Sequence, residues 1–351
     1  MKLLIITQKV DKNDDLLGIY HEWVKKIAAK CESVVIICLY KGEYDLPANV
    51  TVFSMGKEKK ESDFLYIINF YKHIWKLRKQ YDAVFVHMNP EYAILGGLFW
   101  KIMGKKTVLW YAHYLSNLKL RLAMIFSDKI VTSIRQAFPL ESWKLRVLQQ
   151  GIDTDRFFPK KDQKTTSNNL RILSLGRISP VKNLETLIQS AAILKYDNFA
   201  FNLDIWGEPT SKDAAYFESI KKLIIDLDLS DKIKLLGKIS TNQNPEVYLN
   251  YDLFVNLTRT GSFDKTILES MASGLSTIVS NKAYDDILEP ELKSIMIFKE
   301  KNPEDLAKKI KNFTELDQGK REEIKNKVRK IVLEKHSLDG LINKLIHALK
   351  I

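Results

Sequence analysis

The chain has 351 residues, 45% hydrophobic and 28% charged, with 14 Gly and 9 Pro. That length suggests two domains of ordinary size, and the composition excludes a disordered or collagen-like chain. Against 43 Asp and Glu stand 55 Lys and Arg, a formal net charge of +12, which attracts phosphate, anionic lipid or nucleic acid unless it is only a solubilising surface.

The first apolar run, Leu3–Ile6, is far too short for a secretion signal and reads as a strand. A polar loop, Asp11 to Asp15, and a helix over about Ile19–Lys30 follow. Cys31 and Cys38 are the only cysteines; two cannot build a disulfide framework, which points to a reducing compartment. Then come strands at Val34–Leu39 and Val50–Phe53, a helix over Phe64–Gln80, a strand at Ala83–His87 and a helix over Tyr92–Met103. Its uncharged apolar part, Tyr92–Trp100, is about half of the ~20 residues needed to span a bilayer, so no transmembrane segment is expected. Strands at Thr107–Tyr111 and Lys129–Thr132 close this half. The polar stretch Lys160–Asn169 reads as a linker.

After it the alternation restarts: strands at Arg171–Leu175, Phe201–Trp206, Ile233–Leu236, Leu253–Asn256 and Thr277–Val279, with helices over Asn183–Lys195, Tyr216–Leu227 and Lys265–Ala272. The last fifty residues read as two lysine-rich amphipathic helices. Strands separated by helices are the signature of βαβ units and parallel sheets, so two doubly wound halves are predicted. Ligands of such sheets bind beyond the carboxyl ends of the strands.

Two of those loops carry chemistry. Gly176 leaves the strand Arg171–Leu175, and Arg177 and Lys182 lie between it and the next helix start. A glycine allows close backbone approach, and a helix N-terminus adds free N–H groups and a positive dipole end. Together they describe a diphosphate site; the alternative is a strand–helix turn with two solvated basic residues. In the second loop, Glu269 lies within an apolar helical stretch that ends at Gly274. A buried carboxylate needs hydrogen bonds, and a ribose diol supplies them; a salt bridge to a nearby Lys is the alternative. Asp226-Leu227-Asp228 has the form of a metal-binding DxD but falls at the end of an amphipathic helix, and we read it as a solvated helix end.

Taken in order, the segments Gly151–Pro159, Gly176–Asn183 (GRISPVKN), Trp206–Pro209, Leu236-Gly237 and Leu268–Gly274 (LESMASG) resemble the family 4 glycosyltransferases of the GT-B fold, and the resemblance covers most of the chain. It implies an α/β fold of two Rossmann-like, doubly wound domains facing a central cleft: an acceptor-binding domain over 1–165, a nucleotide-sugar-binding domain over 166–335, and a segment 336–351 that crosses back to the first. It implies retaining transfer of a sugar from a nucleoside-diphosphate sugar, a UDP-sugar, to a glycan or lipid-linked acceptor in cell-envelope polysaccharide synthesis. By the same resemblance Gly176, Arg177 and Lys182 hold the donor diphosphate, and Arg177 and Lys182 neutralise it as it leaves. Glu269 matches the second glutamate of the E-x7-E signature and binds the ribose. The stretch Gly261, Ser262, Phe263, Asp264, Lys265 and Thr266 lies against the donor, its helix start offering N–H groups to phosphate. Gly237 and Ile239 seat the base, and His113 matches the histidine near the transferred sugar, the alternative for it being a packed strand-end residue.

The chain departs from the signature twice. Gly261 stands eight before Glu269, where the family has its first, sugar-contacting glutamate, with Asp264 as a nearby substitute. The loop after the first strand has one glycine, Gly18, in place of a pair. With two cations at the diphosphate, neither metal nor cofactor is required. In Phe64–Gln80 aromatic residues sit beside basic ones, joined by Lys101, Lys105 and Lys106. This suits an interfacial helix on an anionic membrane surface, and equally a helix packed on the sheet. A cytoplasmic protein, peripheral on the inner membrane face, is therefore expected. Two other readings stand beside this one. A nucleic-acid-binding protein fits the charge but lacks any recognition motif. A GT-B nucleotide-sugar-binding protein or epimerase without transferase activity is favoured by Gly261.

Overall fold

Val34-Val35-Ile36-Ile37 is apolar at consecutive positions because a parallel strand covered by helices is buried on both faces, and all four side chains are buried. The computed structural model describes residues 1–14, 17–113, 115–159, 169–239, 244–260 and 264–350. They form two units, Met1–Gly151 with Leu338–Ile351, and Ile152–Ser337.

The first unit runs β1 (Lys2–Val10), α1 (Gly18–Ala28), β2 (Ser33–Lys41), β3 (Val50–Ser54), α2 (Asp63–Lys76), β4 (Ala83–His87), α3 (Pro90–Ile102), β5 (Lys106–Trp110), α4 (Leu118–Phe126), β6 (Lys129–Thr132) and β7 (Leu145–Val147). Its sheet is parallel throughout, in the order β3-β2-β1-β4-β5-β6-β7. One core cluster joins the sheet to Phe70 and Ile74 of α2, Tyr92 and Trp100 of α3, and Leu120 of α4. A second joins it to α1 and to the chain's last helix.

The second unit runs β8 (Leu170–Leu175), α5 (Leu184–Tyr196), β9 (Phe201–Trp206), α6 (Ala214–Asp226), β10 (Ile233–Leu235), α7 (Asn244–Tyr248), β11 (Leu253–Asn256), α8 (Lys265–Ala272), β12 (Ser276–Val279), α9 (Pro290–Met296), α10 (Pro303–Glu315) and α11 (Gln318–Ile331). Its parallel sheet has the order β10-β9-β8-β11-β12. The order reverses between β8 and β11, which makes the carboxyl ends of those two strands the switch point where such a sheet opens to a ligand. α12 (Leu338–Lys350) returns to the first unit.

Three features depart from the sequence reading. The C-terminal fifty residues hold three helices: Leu316 and Asp317 interrupt the expected continuous pattern, and the Asp317 carboxylate caps α11 by accepting from the Lys320 amide at 2.8 Å. The first unit closes at Gly151, ahead of the polar stretch, whose residues 160–168 lie outside the described ones. The cause is packing: Ile152 and Phe157 join the second unit's core, and the Arg329 guanidinium donates to the Phe157 carbonyl at 3.0 Å. Finally, α4, β7, α7 and α9 have no counterpart among the expected elements.

Candidate donor-binding site at the carboxyl end of the second sheet

The fold brings the loop after β8 against the loop after β11. The Arg259 amide donates to the Val181 carbonyl at 3.2 Å, and Gly176, Arg177, Lys182, Asn256 and Leu257 line one recess at the switch point. Beside the recess the strand ends are bare main chain. Gly207 has φ +149, and a Cβ there would stand 1.9 Å from the Gly176 carbonyl oxygen, so only glycine fits. Gly207 also donates its amide to the Gly237 carbonyl at 2.7 Å, and Gly176 donates to Trp206 at 3.0 Å. Gly176, Gly207 and Gly237 thus close the ends of three adjacent strands without side chains in the way.

Two cations line the recess itself. Arg177 is exposed and, among the described residues, has no hydrogen-bond or ion-pair partner. Lys182 lies across Gly176, where a Cβ would meet its amine at 3.1 Å. Its ammonium donates to the Asp264 carboxylate. That same oxygen accepts from Asn256 Nδ2 and Thr258 Oγ1, each at 2.8 Å. The other oxygen caps α8 by accepting from the Thr266 amide at 3.2 Å, and the Tyr284 hydroxyl donates to the Asp264 carbonyl at 2.9 Å. Burial raises the Asp264 pKa, yet the charge and hydrogen bond of Lys182, with those of Asn256 and Thr258, outweigh it and hold the group below the ordinary carboxylate range.

Glu269, one turn into α8, is buried and accepts from the Tyr248 hydroxyl at 3.0 Å. Burial pushes its pKa up to about 6, against the opposing pull of the Tyr248 hydrogen bond and the Lys265 charge. The lysine named in the salt-bridge reading of Glu269 is at hand: Lys265 lies one turn earlier on α8, and burial lowers the Lys265 pKa while Glu269 supports it. The Thr266 hydroxyl accepts from Asn256 Nδ2 at 3.1 Å.

Gly176, Arg177, Lys182, Asp264, Lys265, Thr266 and Glu269 therefore gather on two facing loops and one helix start of the second unit. Gly237 closes β10 two strands away, and Ile239 is half-buried against the core beneath α8. Gly261, Ser262 and Phe263 lie outside the described residues. His113 belongs to the first unit, where it follows β5 and its Nδ1 accepts from the Leu115 amide at 3.1 Å. The single-glycine loop of that unit is cross-braced by Lys9, which bonds Asp14 at 2.7 Å, and by the Gly18 amide, which donates to the Asp14 carbonyl at 2.9 Å. Asp226 ends α6, and Asp228 beyond it pairs with Lys195 at 2.9 Å. Among the described residues no group of three or more His, Cys, Asp or Glu could hold a metal ion, and no helix is long and apolar enough to cross a membrane.

Sequence reasoning missed Tyr248, Asn256, Thr258 and Tyr284. Of these only Asn256 carried a signal, a polar residue closing the otherwise apolar strand Leu253–Asn256 and buried there.

Two doubly wound parallel sheets with a phosphate-type crevice on the second define a GT-B α/β protein. A solved Anabaena structure, HepE in complex with UDP, superimposes with a TM-score of 0.77 over 100% of both chains at 17% identity. The sequence profile described as Glycosyl transferases group 1 matches residues 155–331, half of the chain, and the chain belongs to that family. Among curated relatives, the mannosylfructose-phosphate synthase of Agrobacterium fabrum is 28% identical over 153 residues, 41% of this chain and 34% of that protein. The N-acetylgalactosamine-N,N'-diacetylbacillosaminyl-diphospho-undecaprenol 4-alpha-N-acetylgalactosaminyltransferase of Campylobacter jejuni is 29% identical over 147 residues, 42% of this chain and 37% of that protein. The chain thus spans little more than a third of the length of these relatives.

Proposed function

We propose that this protein is a retaining glycosyltransferase that moves a sugar from a UDP-sugar to a glycan or lipid-linked acceptor of the cell envelope. The observation that carries the reading is the meeting of Gly176, Arg177, Lys182 and the α8 N-terminus at the switch point of the second sheet, with Glu269 one turn away. Arg177 and Lys182 hold the diphosphate and neutralise the charge it gains as the sugar departs, so the reaction needs no divalent ion. Glu269 accepts from the ribose hydroxyls, and the loop around Gly237 and Ile239 seats the base. His113 stands near the transferred sugar. The profile match and the Anabaena complex with UDP support a nucleotide site of this kind. The Campylobacter relative, named for a diphospho-undecaprenol substrate, supports a lipid-linked acceptor. Such an acceptor places the work at a membrane, and an anionic lipid surface is the partner we assign to the first unit.

A thermal-shift panel of nucleotide sugars tests the donor, because a ligand that binds only the folded state raises its melting temperature. We expect a UDP-sugar to give the largest rise. Arg177→Ala, which removes charge-assisted hydrogen bonds worth about 1.5–3 kcal/mol each, should lower donor affinity or rate roughly 10–100-fold while the protein stays folded. Product analysis with and without acceptor separates transfer from epimerisation. Wild-type turnover in both Arg177→Ala and Glu269→Ala would sink the proposal.

A further inference from the structure

We infer that Asp264 is a fixed internal rival of the diphosphate, and that it loosens the site's hold on the released nucleoside diphosphate more than its hold on the intact donor. The inference rests on the diphosphate reading of the site. It names the residue that sets how tightly that site closes on its product.

The carboxylate takes the two groups an incoming phosphate needs. One is the Lys182 ammonium; the other is the first turn of α8, where it accepts from the Thr266 amide at 3.2 Å. It is not free to swing aside. Asn256 and Thr258 hold it at 2.8 Å each from the end of β11, and the Tyr284 hydroxyl holds its backbone carbonyl at 2.9 Å. These bonds keep it ionised in a buried place, as the downward direction of its titration also indicates. A phosphate oxygen that reaches Lys182 therefore shares one ammonium with a second anion that cannot leave. Of the two cations assigned to the diphosphate, one is already balanced.

Charge then separates donor from product. In a nucleotide sugar each phosphate carries one ester and one anhydride link and keeps a single ionised oxygen, so the diphosphate bears two negative charges. Once the sugar has left, the terminal phosphate is held by its anhydride link alone and gains a second ionisation near pH 6, so the product carries close to three at neutral pH. A like charge at hydrogen-bonding distance in a partly buried site changes binding by roughly tenfold or more for each charge it opposes. The product sets one more negative charge against Asp264 than the donor does. The carboxylate thus holds Lys182 in place for the donor and helps expel what remains after transfer. A merely structural cap would influence both ligands alike, through stability alone.

The experiment compares the wild-type protein with Asp264→Asn, titrated calorimetrically with UDP, GDP, ADP and CDP and with the nucleotide sugar that the thermal panel selects. Asp264→Asn keeps an acceptor for the α8 cap and removes the charge. The folded variant should bind the preferred nucleoside diphosphate at least tenfold more tightly and the nucleotide sugar by a smaller factor. Turnover should fall at saturating donor, through slower product release, while KM for the donor does not rise. Should Asp264→Asn fail to fold, Asp264→Ser, which retains a helix-capping oxygen, takes its place. Equal or weaker diphosphate binding by a folded variant overturns this inference and leaves the site assignment standing. Failure of the wild-type protein to bind any of the four diphosphates overturns the site assignment and this inference with it.

Discussion

Glu269 shows what a single buried carboxylate costs the fold. Its pKa is pushed up to about 6 by burial, above the 4.5 of an ordinary glutamate carboxyl. A raised carboxylate pKa means that the folded protein binds the proton more tightly than the unfolded chain. The favourable contribution is complete below pH about 4.5 and is lost as pH rises through 6. At pH 7.5 the ionised group therefore costs about 2 kcal/mol, the free-energy equivalent of that shift. Glu269→Gln should raise the melting temperature at pH 7.5, and the gain should shrink steadily as pH falls from 6 towards 4.5. The same variant should weaken nucleoside diphosphate binding, because an amide offers the ribose one acceptor where the carboxylate offers two. Melting curves of both proteins across that pH range decide the matter; a gain that is flat with pH would refute the role of burial. Glu269 was legible in the sequence because it interrupts an apolar helical run, and Arg177 and Lys182 because they follow a glycine within one loop. The engagement of Asp264 was not, since its partner Lys182 is 82 positions distant, and only the folded sheet brings the β8 and β11 loops together.

At the level of elements the alternation of strands and helices was readable, because strands buried on both faces must be apolar throughout. What escaped were short elements decided by tertiary packing. α4 is nine residues of mixed apolar and basic character, and it stands because Asn117 caps it and Leu120 and Ala123 dock on the sheet. Its other face joins an unusual surface. Phe64 and Trp75 of α2, Leu98 and Ile102 of α3, and Leu118 and Ile125 of α4 are each 59–78% exposed, on helices whose inner faces all share one core. The helices are tied laterally: Trp75 meets Phe99 at 5.8 Å between ring centroids, and the Tyr71 hydroxyl donates to the Leu95 carbonyl at 3.0 Å. Lys72, Lys76, Lys79, Lys101 and Arg121 are exposed on the same three helices or just past them. Phe70 and Ile74 pack on the sheet, as the packed-helix reading of α2 expects, while the opposite face remains apolar and cationic, which is the feature the membrane reading depends on. Apolar and basic side chains together match an anionic bilayer better than they match water. Vesicles containing phosphatidylglycerol should bind the protein at low salt, and vesicles of phosphatidylcholine alone should not. Phe64→Ser with Trp75→Ser should weaken that binding at least tenfold, since burying each ring is worth about 1.5–3 kcal/mol. Indifference to anionic vesicles at low salt would exclude the membrane partner.

The chain as a whole is two units sewn from three stretches, and its last helix makes the first unit discontinuous in sequence. Leu338, Leu341, Ile342, Leu345, Ile346 and Leu349 of α12 are buried in the first unit's core beside β1, β4 and α1, more than 200 positions after that unit's other helices end. An amphipathic helix was foreseeable there from its apolar spacing, whereas its return to the first unit was expected from the family resemblance alone, because it depends on contacts that no local pattern records. The two units keep separate cores, and the candidate nucleotide site is built from the second alone. Leu345→Ala should therefore lower the first unit's stability by about 2–5 kcal/mol, the usual cost of truncating a buried leucine. The second unit should retain its own transition, and a nucleoside diphosphate should still raise that transition in proportion to RT ln(1 + [L]/Kd). Scanning calorimetry of the wild type and the variant, each with and without the diphosphate, checks this. A ligand-dependent rise that disappears in Leu345→Ala would mean that the nucleotide site needs the first unit intact, and the assignment of that site to the second unit alone would fail.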